Sequence, residues 1–144
     1  MTPPAGPRAA DRVIEVAAGV IFRNGRLLLT QRRPSDHLGG LWEFPGGKRE
    51  TGESFEECLR RELREELEIE VEVGPLLESI THRYPEKSVH LRFFHCRVER
   101  GEPRPTGCAA VAWVEAGQLG QYQFPAADER LLGRLRSEPA LWRE

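Results

Sequence analysis

"GKRETGESFEECLRRELREELEI", residues 47–69, is the stretch from which the rest of the chain is read. Ser54 followed by Glu57 forms a capping box, which opens a helix running to about Leu67. At roughly 100° of rotation per residue, Phe55, Cys58, Leu59, Leu63 and Leu67 make one apolar stripe. Glu56, Glu57, Arg60, Arg61 and Arg64 fall on the opposite side, with Glu56–Arg60 and Glu57–Arg61 in the favourable i,i+4 order. That side reads as a solvated face. Glu62 and Glu66 land inside the stripe, and Glu65 lies at its edge. On spacing alone two readings stand. Either the helix rolls so that these acids rim the core and reach water, or they face inward and a hard divalent cation neutralises them. An isolated buried carboxylate costs several kcal/mol or takes up a proton, and oxygen ligands are the natural partners of such a cation.

Outward from the helix, residues 13–22, "VIEVAAGVIF", and 26–30, "RLLLT", are β-rich apolar runs joined by Asn24-Gly25, a strong hairpin signal. The long glycine-rich loop from Gln31 to Glu53 holds Trp42 and Phe44, which argue for order. After the helix, "IEVEVGPLLESITHRY" and "SVHLRFFHCRVE" alternate as two strands with a turn between them. "CAAVAWVE" reads as another strand, and "FPAADERLLGRLRSEPALW" returns to helical spacing. This pattern predicts one mixed α/β domain over residues 12–144. The Pro/Ala-rich opening, residues 1–11, reads as a flexible arm with no apolar segment for a signal peptide or membrane span.

The spacing Gly47-x5-Glu53-x7-Arg61-Glu62-Leu63-x-Glu65-Glu66, closed by Ile69, resembles the Nudix box, G-x5-E-x7-R-E-U-x-E-E-x-G-U with U a bulky aliphatic. Glu68 alone departs, standing where the pattern has glycine. That glycine ends the helix in a left-handed turn that glutamate adopts reluctantly, so a local adjustment of the helix end is expected. The resemblance implies the Nudix fold, a mixed β-sheet sandwiched between helices (α/β/α) with the box as loop-helix-loop. It further implies Mg²⁺, with Mn²⁺ as a substitute, on Glu62, Glu65, Glu66 and the carbonyl of Gly46. Arg61 would orient the helix glutamates, and Glu53 would stabilise the loop or help position water. These five acidic and basic side chains are the expected catalytic set.

"LWEFPGGK" and "FPAADERLL" are similar to the MutT subgroup of Nudix hydrolases, which cleave nucleoside triphosphates to monophosphate and pyrophosphate. On that resemblance Arg32 and Lys48 would meet substrate phosphates, and His37 would lie near the nucleotide. Asp128 stands where the subgroup has a base-reading asparagine. An amide offers a donor and an acceptor; an ionised carboxylate only accepts, and a protonated one does both. Asp128 therefore keeps oxidised guanine possible and raises the case for a cytosine-type amino edge. Alternatively, it caps the final helix. Phe124 lines the base pocket or packs the sheet. The subgroup carries a loop glutamate, a metal ligand or candidate base, where this chain has Gly107; Glu102 is the nearest acid. Without it, the base comes from the helix or from Glu53, or turnover is slow or lost.

The expected activity is Mg²⁺-dependent pyrophosphohydrolysis of a (deoxy)nucleoside triphosphate, foremost 8-oxo-dGTP in nucleotide-pool sanitation and hence DNA repair. The alternatives are a CTP or 5-methyl-dCTP pyrophosphatase, and a Nudix-fold nucleotide-binding module with little turnover. Net charge is −2, which lacks the basic footprint of a protein that grips a polymeric nucleic acid. Three scattered cysteines without a CxxC fit a cytoplasmic protein without a disulfide framework. No membrane association is expected, and a monomer or weak dimer is. His82, His90 and His95 read as surface or packed side chains, and Trp42 and Trp113 as core or pocket wall.

Overall fold

A computed structural model describes residues 13–143; the N-terminal arm expected over 1–11 lies outside them. The strands are β1 (Val13–Arg23), β2 (Arg26–Gln31), β3 (Trp42–Glu43), β4 (Gly46–Lys48), β5 (Glu70–Arg83), β6 (Ser88–Arg100) and β7 (Ala110–Val114). The α-helices are α1 (Phe55–Leu67) and α2 (Glu129–Ser137). The hairpin forms at Asn24-Gly25, where φ of 53° and 74° supply the two left-handed residues of a tight β1–β2 turn.

All seven strands join one mixed sheet whose main path runs β3-β2-β1-β6-β5. β1 runs parallel to β6 from Val13↔Ser88 to Phe22↔Arg97, and the other pairings are antiparallel. Along its opposite edge β1 changes partner: Val16–Ala18 pair with β4, whereas Phe22 and Arg23 pair with β2. That splay separates β4 from β2 and opens the sheet where the glycine-rich loop enters.

Both faces of β1 are covered, so its apolar run is continuous rather than alternating. Ala17 and Ile21 pack with Leu28, Phe94, Cys96 and the stripe of α1. Ala18, Val20 and Phe22 pack with Leu27, Leu29, Phe93 and the α2 leucines Leu131, Leu132 and Leu135. The result is the helix–sheet–helix sandwich expected from the sequence. Leu59, Leu63 and Leu67 are fully buried, each contributing about 2 kcal/mol, so burial of its stripe holds α1 down. The chain closes with a 3₁₀ turn, Pro139–Trp142. There the Trp142 ring meets Phe22 edge-on, and its Nε1 donates to the Leu135 carbonyl at 2.8 Å.

Both ends of α1 are fixed. Ser54 Oγ accepts the Glu57 N–H at 3.0 Å and Glu57 returns the bond to the Ser54 N–H at 3.1 Å. At the other end Glu68 itself takes the left-handed conformation, φ 58° and ψ 36°, and its N–H reaches the Arg64 carbonyl. The expected adjustment of the helix end therefore does not occur. The buried Ile69 beyond it, bonded back to the Leu63 carbonyl, holds Glu68 in a conformation its side chain disfavours.

Candidate active site

Burying the α1 stripe against β1 and β5 turns Glu62 and Glu66 toward β4. Glu62 retains 15% side-chain exposure and its carboxylate lies on Gly47, where an added Cβ would sit 2.2 Å from the carboxyl carbon. A side chain at position 47 would displace the Glu62 carboxylate. Gly46 is similarly confined, since a Cβ there would lie 1.9 Å from the Ala17 carbonyl oxygen. Burial and the neighbouring Glu62 charge push the Glu66 carboxyl up to about 8, and burial raises Glu62 as well. The two carboxyls share a hydrogen bond that favours the proton on Glu66 and the charge on Glu62.

Glu65 differs from its two neighbours: it is 59% exposed and turns to Arg61 at 3.3 Å. Among the described residues, no group of three acids is gathered closely enough to hold an ion as it stands. The all-oxygen donor set of Glu62, Glu66 and Glu65 still fits a hard divalent cation, with Glu65 reached by a rotamer change.

Arg61 corrects the helical wheel. It is 22% exposed and makes no bond to Glu57, whose carboxylate is engaged in the cap. It lies instead over the site. Its Nε and Nη2 hold both Glu53 oxygens at 3.0 and 2.7 Å, its Nη1 reaches Glu62 at 3.1 Å, and its Nη2 also donates to the Lys48 carbonyl. The Arg61 bonds, with one from the Glu50 N–H, hold the Glu53 carboxyl down to about 2.

Glu62 and Glu66 border a cavity of about 390 Å³, and Arg61, Glu53 and Glu65 stand behind them. Its apolar lining comes from alternate residues of β1 and β6, including Ile14, Val16, Leu91 and Phe93. Gly46, Gly47, Lys48, Glu62 and Glu66 line it from β4 and α1, and Arg32, His37 and Asp128 line it from elsewhere in the chain. Lys48 is exposed. Arg32 is occupied, its Nη1 donating to Glu43 at 2.9 Å and its Nε to the His37 carbonyl at 2.6 Å. His37 is exposed, with its ring edge-on to Tyr84.

Asp128 is 5% exposed and makes no side-chain cap bond to α2, so it is not a capping residue. Burial first and the Glu43 charge second push its carboxyl up to about 7. Phe124 does not line the cavity; it stacks behind the wall residue Phe44 at 5.5 Å, which places it with the packing. Trp42 packs edge-on against Tyr122, and Trp113 packs against the α1 core beneath Arg23. His95 stacks on Phe22 with its Nε2 at the Leu141 carbonyl, and His90 bonds Thr81.

Three charged or polar cavity residues, Glu43, Tyr84 and Lys87, escaped the sequence reading. Glu43 carries a signal, since it is a lone acid between the two aromatic residues Trp42 and Phe44. Burial raises its pKa, and its charge acts on both Glu66 and Asp128. Tyr84 and Lys87 arrive through the β5–β6 hairpin turn and carry no comparable signal.

Gly107 also has a structural reason. Its N–H donates to the Glu66 carbonyl at 3.0 Å, and a Cβ there would meet Glu66 Cγ at 2.9 Å and Cα at 3.0 Å. Thr106 Oγ1 reaches the same carbonyl at 2.6 Å, and the Arg104 N–H reaches the Leu67 carbonyl at 3.0 Å. The loop thus seals the end of α1. Glu102 is remote from this, paired with Arg23 at 2.8 Å. Gly107→Ala is expected to cost about 1–3 kcal/mol through overpacking. An unchanged urea midpoint would show that the loop yields freely.

A mixed sheet between helices, with a carboxylate-lined cavity at a loop-helix-loop, is the architecture of a phosphoanhydride hydrolase of Nudix type. The chain belongs to the Nudix family: the model described as "NUDIX domain" matches residues 17–134. It is 39% identical over 121 residues to the CTP pyrophosphohydrolase of Escherichia coli strain K12, covering 84% of this chain and 90% of that one. It is also 39% identical over 128 residues to the 8-oxo-dGTP diphosphatase of Haemophilus influenzae, covering 88% and 94%. The crystal structure of the MutT Nudix hydrolase from Burkholderia pseudomallei superposes with a TM-score of 0.77 at 28% identity, covering 85% of this chain and 97% of that one. The chain is accordingly an enzyme, and hydrolases of this family use a divalent metal. Cys58, Cys96 and Cys108 are free and buried, and among the described residues no helix is long and apolar enough to cross a membrane.

Proposed function

We propose that this enzyme hydrolyses 8-oxo-dGTP to 8-oxo-dGMP and pyrophosphate and so cleans the nucleotide pool. Asp128 carries the reading: it is buried in the cavity wall, free of any helix cap, and titrates near neutrality. A protonated carboxyl offers one donor and one acceptor. Ordinary guanine shows two adjacent acceptors, O6 and N7; oxidation at C8 places a hydrogen on N7, and the edge becomes acceptor beside donor. That edge complements a neutral Asp128, and the unmodified one does not.

A second reading follows from the ionised form. A carboxylate at 128, with Glu43 also facing the cavity, accepts hydrogen bonds from the amino group of CTP or 5-methyl-dCTP. The 39% identity to a CTP pyrophosphohydrolase supports it.

Glu62, Glu65, Glu66 and the Gly46 carbonyl would hold Mg²⁺, or Mn²⁺ in its place. The cation supplies positive charge where phosphate oxygens gain negative charge in the transition state. Lys48 stands at the cavity rim for the phosphates, and Arg32 can join it by exchanging Glu43 for substrate. Water attacks phosphorus, the bridging P–O bond breaks, and the proton of the water passes to a base. Glu53, held near pKa 2 by Arg61, has too little basicity for that role. It positions Arg61, and the base belongs to the α1 glutamates.

Residues 12–144 would form a single domain in a cytoplasmic monomer or weak dimer that binds a free nucleotide and no polymeric nucleic acid, in keeping with the net charge of −2. The test is incubation with Mg²⁺ and 8-oxo-dGTP, dGTP, CTP or 5-methyl-dCTP, separating pyrophosphate from phosphate. Pyrophosphate release with 8-oxo-dGTP strongly favoured over dGTP is expected. Release from none of the four would overturn the assignment.

A further inference from the structure

Arg49 occupies a position that the Gly47-x5-Glu53 pattern leaves free, yet it ties that loop to the sheet. Its backbone N–H donates to the Glu15 carbonyl at 2.8 Å, and its Nη2 donates to the Glu15 carboxylate at 2.5 Å. Its Nη1 donates to the backbone carbonyl of Glu53 at 2.9 Å. One guanidinium therefore spans from β1 to the loop residue whose carboxylate holds Arg61 by two bonds. Arg61 in turn touches Glu62 and Glu65. The chain of contacts runs Glu15–Arg49–Glu53–Arg61–Glu62, from the rigid sheet to the acids of the site.

We propose that Arg49, anchored by Glu15, is a positioning residue for the metal-binding glutamates, acting through the Glu53 carbonyl on Arg61. This rests on the metal site proposed above. The Glu53–Arg61 pair alone does not fix where either residue sits, because Glu53 belongs to an irregular loop. Arg49 supplies the fixed point, since Glu15 lies in β1 between β4 and β6. Without it the loop would keep Glu53 on Arg61 but let the pair drift relative to α1. Partners that orient metal ligands typically govern metal affinity by about 10–100-fold, and an anchor two contacts removed falls at the lower end.

A different role has to be separated from this one. Arg49 also lies 5.5 Å from the centre of the Phe55 ring, and Arg92 lies 4.2 Å from it. Both arginines thus pack the start of α1, a role distinct from positioning. Arg92 shares the packing and its charge also acts on Glu15, yet no hydrogen bond joins it to Glu53 or Arg61, so it provides the control.

The experiment measures Mn²⁺ binding to the full chain by electron paramagnetic resonance without nucleotide, alongside thermal melting. Arg49→Met is expected to weaken Mn²⁺ binding about tenfold. Arg49→Lys, which can reach one partner at a time, should recover part of that loss, and Arg92→Met should bind as the wild type does. In turnover assays Arg49→Met should raise the Mg²⁺ requirement and leave the nucleotide KM at saturating metal within about twofold. Equal Mn²⁺ affinity in Arg49→Met and wild type would overturn the proposal, as would an equal loss in Arg92→Met. Wild-type protein that binds no Mn²⁺ would instead remove the metal site beneath it.

Discussion

Glu66→Gln is expected to lower kcat by about 10³-fold, about 4 kcal/mol of barrier, while leaving the fold intact and the metal-free protein more stable at pH 8. Both effects come from the same burial. Glu66 keeps its proton up to about pH 8 in the folded protein and releases it near 4.5 in the unfolded chain. Between those values the folded state binds more protons, so this group's contribution is most favourable below pH 4.5 and declines as pH rises toward 8. Glutamine never ionises and is spared the decline. The comparison is Tm against pH from 4.5 to 8.5 in a chelating buffer, with kcat measured in Mg²⁺. A variant that turns over at the wild-type rate with the same metal dependence would displace Glu66 from the site.

Asp128→Asn is expected to remove a pH dependence of substrate choice. In the wild type the carboxyl is neutral below about pH 7 and both donates and accepts; above it, it only accepts. The ratio of kcat/KM for 8-oxo-dGTP to that for CTP should therefore fall between pH 6 and pH 8. The drop is roughly tenfold, given about 1–3 kcal/mol for a well-matched pair of hydrogen bonds to a base. The Glu43 charge acts on Asp128, and the Asp128 charge in turn acts on Tyr84, which also feels Arg32. Glu43→Gln should accordingly move the transition to lower pH. In Asp128→Asn the ratio should stay level. An equally steep fall in that variant would assign the titration to another group.

Glu62 and Glu66 could be read from the chain because a side chain's angle around a helix follows from its position, and two acids interrupting an apolar stripe are visible as letters. Arg61 could be placed only through the resemblance to the box, because the wheel gives a direction at the helix surface and takes no account of reach. Its Cβ points outward while its guanidinium folds back over Glu53 and Glu62. The same gap hides Glu43, whose importance depends on a two-residue strand bringing it against Arg32. Asp128 was legible as an alternative between cap and reader. Only the absence of a bond to α2, with the carboxyl facing the cavity, separates the two. Glu68 shows the reverse case: local preference argues against a left-handed glutamate, and the burial of Ile69 beyond it overrides that preference.

The loop from Arg104 to Gly107 has no regular secondary structure, yet its amides close the last carbonyls of α1. In hydrogen exchange, the N–H groups of Arg104 and Gly107 should therefore exchange with the slowness of the helix end rather than with the speed of a surface loop. Because the Glu66 carbonyl takes bonds from both Gly107 and Thr106, the turn of α1 that carries Glu66 is tied to this loop.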